Sequence, residues 1–193
     1  MTDEQLMERV NGGDREALSE LFHRHQKPLY NFFLRGFGHP QDAEDLAMET
    51  LLRVFRHGDH FQGGGSFKAW LYRLALNVSR DRGRRVRRRP EVTASSMEEQ
   101  WAALEDEREE QQPEAMALRT SFASTVRAAV RELPEKERAA LLLREYQQLS
   151  YAEIGAALGA SLPAVKMLLV RARGRVKKRL EAGRLAETME VCV

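Results

Sequence analysis

The sequence has very little of what disulfide-bonded, strand-rich and membrane proteins are built from. Cys192 is the only cysteine in 193 residues, which excludes an intrachain disulfide and a cysteine metal cluster. Aromatic residues make up 7% of the chain, prolines number six, and no segment of any length shows the alternation of a half-buried strand. No apolar run approaches membrane-spanning length, and the acidic N-terminus MTDEQLMERV lacks the basic start of a secretion signal. We therefore expect a mostly helical, cytoplasmic protein without membrane insertion.

Residues that carry catalytic or metal chemistry are not grouped in the sequence. Its five histidines are scattered and have no spaced carboxylate or cysteine partner. The triplet Gly63-Gly64-Gly65 lacks the Lys-Ser/Thr that follows a phosphate-binding loop. We therefore predict a protein that is not an enzyme and that needs no metal or cofactor.

Charge is segregated along the chain, although the net charge is only +2. The segment Arg80–Arg89 is strongly basic, Glu91–Glu114 is strongly acidic, and Lys166–Arg179 is basic again. Such separation predicts contact with a polyanion at two places.

The segment from Leu149 to Leu180 has the pattern of a helix-turn-helix. Ser150 and Glu153 have the spacing of a capping box, and Gly159 stands where a left-handed residue ends a helix. The second helix has an apolar face and a basic opposite face, so it suits a DNA major groove. The inward positions are Leu162, Val165, Leu169, Ala172 and Val176. The alternative is a pair of core-packing helices with a solvated basic side.

The whole pattern predicts an all-α protein of two small helical domains joined by an acidic flexible linker. The first domain, residues 1–89, has four predicted helices, with a polar, glycine-rich loop from His57 to Ser66 before the fourth. Residues 90–113 form the predicted linker, because they are acidic and have few apolar side chains. Residues 114–180 form the helix-turn-helix domain, and 181–193 a loosely ordered C-terminal tail.

Four segments, in this order, resemble bacterial sigma factors of the ECF (extracytoplasmic-function) group. They are DAEDLAMETLLRVFRH at 42–57, FKAWLYRLALNVSRDRGRR at 67–85, LPEKERAALLLREYQQLSYAEIGAALG at 133–159 and VKMLLVRAR at 165–173. The resemblance implies a factor that binds core RNA polymerase and directs promoter recognition, DNA melting and transcription initiation. It also implies an anti-sigma factor as a partner.

The resemblance implies that the acidic third helix docks on core polymerase. Carboxylates would steer the approach, and apolar side chains would anchor it. The alternative for the acids is ordinary charge at a helix N-terminus. The residues are Asp42, Glu44, Asp45, Glu49, Leu52 and Phe55.

The resemblance also assigns the melted −10 strand to the glycine-rich loop and the fourth helix. Single-stranded DNA is bound by aromatic platforms and by cations. We expect Asn77 to read a base edge, and Arg84 and Arg85 to contact phosphates. The set is Phe61, Lys68, Tyr72, Arg73, Asn77, Arg80, Arg84 and Arg85.

The second domain is then implied to bind the duplex −35 element. Its recognition helix departs from the family pattern, with Pro163-Ala164 in place of the common Gly-Thr and apolar Met167–Val170 in place of Ser-Arg-Leu-His. The −35 bases would then be recognised more weakly, or the apolar side chains would contact thymine methyl groups. The set is Ser150, Ala164, Lys166, Met167, Val170, Arg171, Arg173 and Arg175.

Two other functions are compatible with a helix-turn-helix. A stand-alone dimeric helix-turn-helix transcriptional regulator would leave the acidic helix and the glycine loop unexplained. A recombinase or transposase fragment would need a nucleophilic Ser or Tyr beside basic groups, or a carboxylate metal cluster, and neither grouping stands out.

Overall fold

The computed structural model describes residues 1–61, 64–88 and 123–190, and all regular structure among them is helical. The first block contains α1 (Asp3–Asn11), α2 (Arg15–Phe37), α3 (Pro40–Arg56), a 3-10 turn (Gly58–His60) and α4 (Phe67–Arg88). The second contains α5, described over residues 123–131, then α6 (Glu135–Glu145), α7 (Tyr151–Leu158) and α8 (Leu162–Glu190). The predicted all-α class is confirmed. The predicted linker 90–113 and the residues up to 122 lie outside the described residues.

The helix boundaries of the first block follow local signals in the sequence. Thr2 closes a capping box on α1, and the Asp14 side chain accepts hydrogen bonds from the first turn of α2. Gly38 ends α2 with a φ of 90°, which a residue with a side chain rarely adopts, and Pro40 opens α3. α2 continues through Pro28 to Phe37.

The C-terminal helix is longer than expected. α8 continues to Glu190, so the prediction of a loosely ordered tail is wrong for residues 181–190. The segment EAGRLAETME contains no proline and consists mostly of good helix formers, so nothing in it ends the helix.

The two blocks pack against each other. α2 and α3 pair within the first block, α4 lies on α3, and α7 of the second block lies along α4. The buried apolar side chains form one cluster that runs from Leu6 in α1 to Ala172 in α8. Gly36 of α2 lies beside the Leu142 side chain of α6, so these two helices meet where the blocks join. The shared core therefore holds the −10 and −35 candidates in one body.

Helix α1 fastens the start of α4. The Glu4 carboxylate accepts a hydrogen bond from the Phe67 backbone N–H at 3.0 Å, and this bond lowers the pKa of Glu4. Beside it, His25 Nε2 lies 2.8 Å from Asp3 Oδ2. Burial lowers the pKa of His25 in spite of Asp3, so the buried ring is favoured in its neutral form.

Candidate polymerase and nucleic-acid interfaces

Most candidate functional residues lie on the surface of the described part of the chain. Across residues 1–61, 64–88 and 123–190, no three His, Cys, Asp or Glu side chains are grouped to hold a metal ion. In the same ranges no single helix is long and apolar enough to span a membrane, and α7 with Leu162–Ala182 qualifies only as a pair bent by 97°. The candidate residues lie on α3, α4 and α8, except for Phe61 after the 3-10 turn and Ser150 at the N-terminus of α7.

Helix α3 presents a row of side chains that we call the α3 stripe: Glu44, Met48, Leu52 and Phe55. Spacings of four, four and three residues place them on one face of the helix. Phe55 is 59% exposed and Met48 is 54% exposed, whereas Leu52 is half-buried. Met48 was missed in the sequence analysis, although its spacing from Leu52 could have identified it. An exposed apolar row beside an acid is typical of a docking surface.

The other acids of α3 face cations of α3 and α4. Arg82 contacts Asp42 through a short ion pair and lies 3.9 Å from Asp45. The Glu49 carboxylate accepts from Arg53 Nε at 3.0 Å. Glu44 has no hydrogen-bond or ion-pair partner among the described side chains and is exposed. Three of the four predicted docking carboxylates thus interact with neighbouring arginines, two of them through the α4 residue Arg82.

Two aromatic residues assigned to the −10 strand are buried, which corrects the expectation that they form an accessible platform. Phe61 packs its ring 5.7 Å from Phe67 and 5.5 Å from Trp70. Tyr72 is fully buried, and its ring centroid lies 5.1 Å from that of Phe32. The Tyr72 hydroxyl has no partner among the described atoms, and burial raises its pKa. Both rings therefore belong to the core, Phe61 through Phe67 and Trp70 and Tyr72 through Phe32.

The polar −10 candidates on α4 divide into two groups. Lys68 Nζ donates to the Gln147 backbone carbonyl at 2.5 Å, and Arg80 Nε donates to Glu135 at 3.0 Å, so both contact the second block. Asn77 is exposed and accepts from Arg80 Nη1 at 3.3 Å. The remaining candidates are exposed on the outer side of α4: Arg73, Arg84 and Arg85.

The geometry of α7 and α8 is that of the predicted helix-turn-helix. The Ser150 hydroxyl accepts from the Glu153 backbone N–H, and the Glu153 carboxylate accepts from the Ser150 backbone N–H, which completes the capping box. Gly159 ends α7 with a φ of 63°. At Gly155 a Cβ atom would lie 2.8 Å from the Ala160 carbonyl, so only glycine allows this close turn. Ser150 belongs to the assigned −35 set, but its hydroxyl already caps α7.

Helix α8 has a buried side and a free side. Val165, Leu169 and Ala172 are buried, as predicted, whereas Leu162 is 46% exposed, which corrects its inward assignment. It lies in the first turn, beyond the reach of α6. The exposed candidates are Ala164, Lys166, Met167, Val170 and Arg171.

Further along α8, two arginines contact acids of α6 in the same block. Arg173 donates to Glu145 at 2.7 Å, and this bond raises the pKa of Arg173. Arg175 Nε lies 3.0 Å from Glu137 Oε2, an atom that makes no hydrogen bond of good geometry. The buried Glu137 carboxylate is thus compensated by charge. Arg173 and Arg175 are less available to DNA than Arg171.

Comparison with known proteins decides the family. Residues 21–89 match Sigma-70 region 2, and residues 124–176 match Sigma-70 region 4. The RNA polymerase sigma-H factor of Pseudomonas aeruginosa is 34% identical, over 93% of this chain and 94% of its own. The ECF RNA polymerase sigma-E factor of Escherichia coli K12 is 32% identical, over 94% and 95%. The chain belongs to the ECF group of sigma factors.

The solved structures agree with this ECF sigma factor's architecture. CnrH, in complex with the cytosolic domain of CnrY, is 25% identical and matches with a TM-score of 0.68, over 93% of this chain and 97% of its own. RpoE of Bartonella quintana, in complex with the anti-sigma factor NepR, shares the fold at 23% identity with a TM-score of 0.64, over 84% and 96%. The region 2 match begins at residue 21 within α2 and covers α3 and α4, and the region 4 match ends at Val176 within α8. Helix α1 and the last turns of α8 lie outside both matches.

Proposed function

We propose that this ECF sigma factor binds core RNA polymerase through the α3 stripe, single-stranded −10 DNA through α4 and duplex −35 DNA through the first turns of α8. It acts in the cytoplasm, catalyses no reaction itself and is controlled by an anti-sigma factor. Sigma factors as a group are non-catalytic initiation factors, and the family membership supports the partners.

The exposure of the α3 stripe is the main support for the proposed polymerase contact. Two large apolar side chains more than half exposed on one helix face leave apolar area in water, which burial in an interface would remove. The unpaired Glu44 begins the same row, so a basic partner surface would be complementary in charge. A core-packing role does not account for this row, because its members face outward.

Transcription in vitro tests the function. Core polymerase alone should give no specific transcript from a promoter of this factor, and core with the full chain should give one. A stand-alone regulator would instead bind duplex DNA tightly without polymerase and would give no transcript with core. Candidate promoters can be found by sequencing the transcripts that core with this chain makes from genomic DNA.

Two methionines of similar exposure provide a matched pair for the polymerase contact. Met48 on the α3 stripe is 54% exposed, and Met167 on α8 is 50% exposed. Met48→Ala should weaken binding to core polymerase about five- to tenfold, because truncating an interface anchor typically costs about 1 kcal/mol or more. Met167→Ala should leave core affinity unchanged. Equal effects of the two variants, or none, would contradict the docking surface.

A further inference from the structure

Helix α1 holds both ends of the connection between α3 and α4. At the first end, the Asn11 side chain donates from Nδ2 to the Gly58 backbone carbonyl at 3.0 Å. At the second end, the Glu4 carboxylate accepts from the Phe67 backbone N–H, also at 3.0 Å. Gly58 is the first residue of the 3-10 turn, and Phe67 is the first residue of α4. One helix therefore fixes the connection close to where it begins and where it ends.

A third side chain of α1, Met7, packs directly on the connection. Glu4, Met7 and Asn11 are spaced by three and four residues, so they lie on one face of the helix. Met7 is fully buried. Its methyl group and the Asn11 side-chain amide occupy the space that a side chain at Gly58 would need. The face of α1 that makes the two hydrogen bonds is therefore also in close packing contact with the 3-10 turn.

Helix α1 is itself tied to α2 through Asp3. Asp3 Oδ2 lies 2.8 Å from Nε2 of the buried His25, and Asp3 Oδ1 accepts from Arg24 Nη1 at 3.2 Å. Leu6 and Met7 of α1 belong to the shared apolar core. The contacts of α1 with the connection therefore come from a helix whose own position is fixed by packing and by charge.

The Glu4 contact also completes the N-terminus of α4. The first N–H groups of a helix have no acceptor within the helix. Here the Ser66 hydroxyl accepts from the Ala69 N–H at 3.3 Å, and Glu4 accepts from the Phe67 N–H. The bond from Phe67 lowers the pKa of Glu4, so the carboxylate form is favoured. Both groups fix the first turn of α4, which contains the −10 candidate Lys68.

We propose that Glu4 and Asn11 are positioning residues for −10 recognition: by holding Phe67 and Gly58, they determine how strongly the factor discriminates among −10 bases. The inference rests on the proposed function of α4. Both residues precede the region 2 match, which begins at residue 21, and they act through the backbone groups that they hold, without contacting DNA.

The physical reason is that discrimination requires an ordered site. Groups that distinguish one base from another must be held to within about 0.5 Å of the productive geometry. If the ends of the connection are released, additional conformations must be ordered when the strand binds. A looser site can also adapt to an incorrect base. Loss of either contact should therefore make correct and incorrect −10 sequences more alike as substrates for initiation.

Promoter preference of the full chain with core polymerase tests the inference. Transcripts are compared between a promoter of this factor and derivatives of it with single base changes in the −10 element. Glu4→Ala and Asn11→Ala should each lower the ratio of parent to derivative transcript about three- to fivefold, since each removes one hydrogen bond. Glu4→Gln keeps an oxygen acceptor for the Phe67 N–H and should retain the wild-type ratio.

The control is Glu8→Ala. It removes the same charge from the same helix as Glu4→Ala. Glu8 is exposed and has no hydrogen-bond or ion-pair partner among the described side chains. Its replacement should leave the ratio at the wild-type value.

The ratio separates positioning from a purely structural role, which would reduce transcription from every promoter by the same factor. A lower ratio in Glu4→Ala and Asn11→Ala, with the wild-type ratio in Glu4→Gln and Glu8→Ala, supports the inference. A uniform loss, an unchanged ratio, or an equal fall in Glu4→Gln or Glu8→Ala overturns it. If Glu4→Ala lowers helicity in circular dichroism, Asn11→Ala against Glu8→Ala decides. Wild type that gives no specific transcript would instead reject the proposed function.

Discussion

Helices α4 and α8 are both rich in arginine, yet the structure uses their cations differently. On α4, Lys68 and Arg80 contact the second block, and Arg82 contacts the acids of α3. On α8, Lys166 and Arg171 are exposed and have no ion-pair partner among the described side chains. A basic segment in a sequence therefore shows where cations are, whereas the neighbouring acids decide which of them can reach a phosphate.

The difference follows from the position of each helix in the fold. α4 has α1, α3 and α7 as neighbours, so it meets protein on several sides. α8 packs on α6 and α7 from one side only, which leaves the outer side of its first turns free. The same contrast predicts that substitutions on the buried side of α4 change stability and that substitutions on the first turns of α8 change DNA binding.

The largest expected effect is on the buried side of α4. Phe67 is 1% exposed and packs against Phe61, Trp70 and His25, so Phe67→Ala should reduce the free energy of unfolding by about 3–5 kcal/mol. On α8, Val170→Ala should change it by less than about 0.5 kcal/mol, since Val170 lies in solvent. Urea unfolding followed by circular dichroism measures both. A similar loss in the two variants would refute the contrast in burial.

The features that the sequence predicted well are local. The capping box of Ser150 and Glu153 and the left-handed Gly159 each depend on residues within one turn. Phe61 and Tyr72 were misassigned because an aromatic residue near a basic helix fits a stacking platform and a core equally well. Their burial depends on Phe67, Trp70 and Phe32, and the sequence does not show these spatial contacts.

The partners of charged side chains could not be predicted from the sequence for the same reason. Asp42 and Arg82 are 40 positions apart, and Lys68 and Gln147 are 79 apart, so only the packing of the helices brings them together. The continuation of α8 to Glu190 is a different case. Its helix-forming composition was visible, but no apolar stripe marked it as part of a packed element.

An intermediate effect is expected from the exposed arginine of α8. Arg171→Ala should weaken binding of the assembled holoenzyme to a promoter about tenfold and reduce the salt slope by about one, as loss of one phosphate contact does. Arg179→Ala should have less effect, because Arg179 lies two turns further on and donates to Glu132 at 3.1 Å. Filter binding at several salt concentrations gives both numbers. A larger loss in Arg179→Ala would place the DNA on the other end of the helix.

The smallest effect on the free energy of unfolding is expected at Tyr72, on the buried side of α4. Its hydroxyl is buried with no hydrogen-bond partner among the described atoms, and burial raises its pKa, so the neutral form is favoured. Replacing a buried unpaired polar group with an apolar one of the same shape is neutral or stabilising. Tyr72→Phe should therefore leave the free energy of unfolding unchanged or raise it by up to about 1 kcal/mol.

Transcription then shows whether the Tyr72 hydroxyl has a role beyond the fold. If α4 acts through Lys68, Arg73, Asn77 and Arg80, Tyr72→Phe with core polymerase should start transcription as well as wild type. A variant that is as stable as wild type but clearly less active would mean that the hydroxyl contacts DNA or polymerase during initiation, which would contradict its assignment to the core.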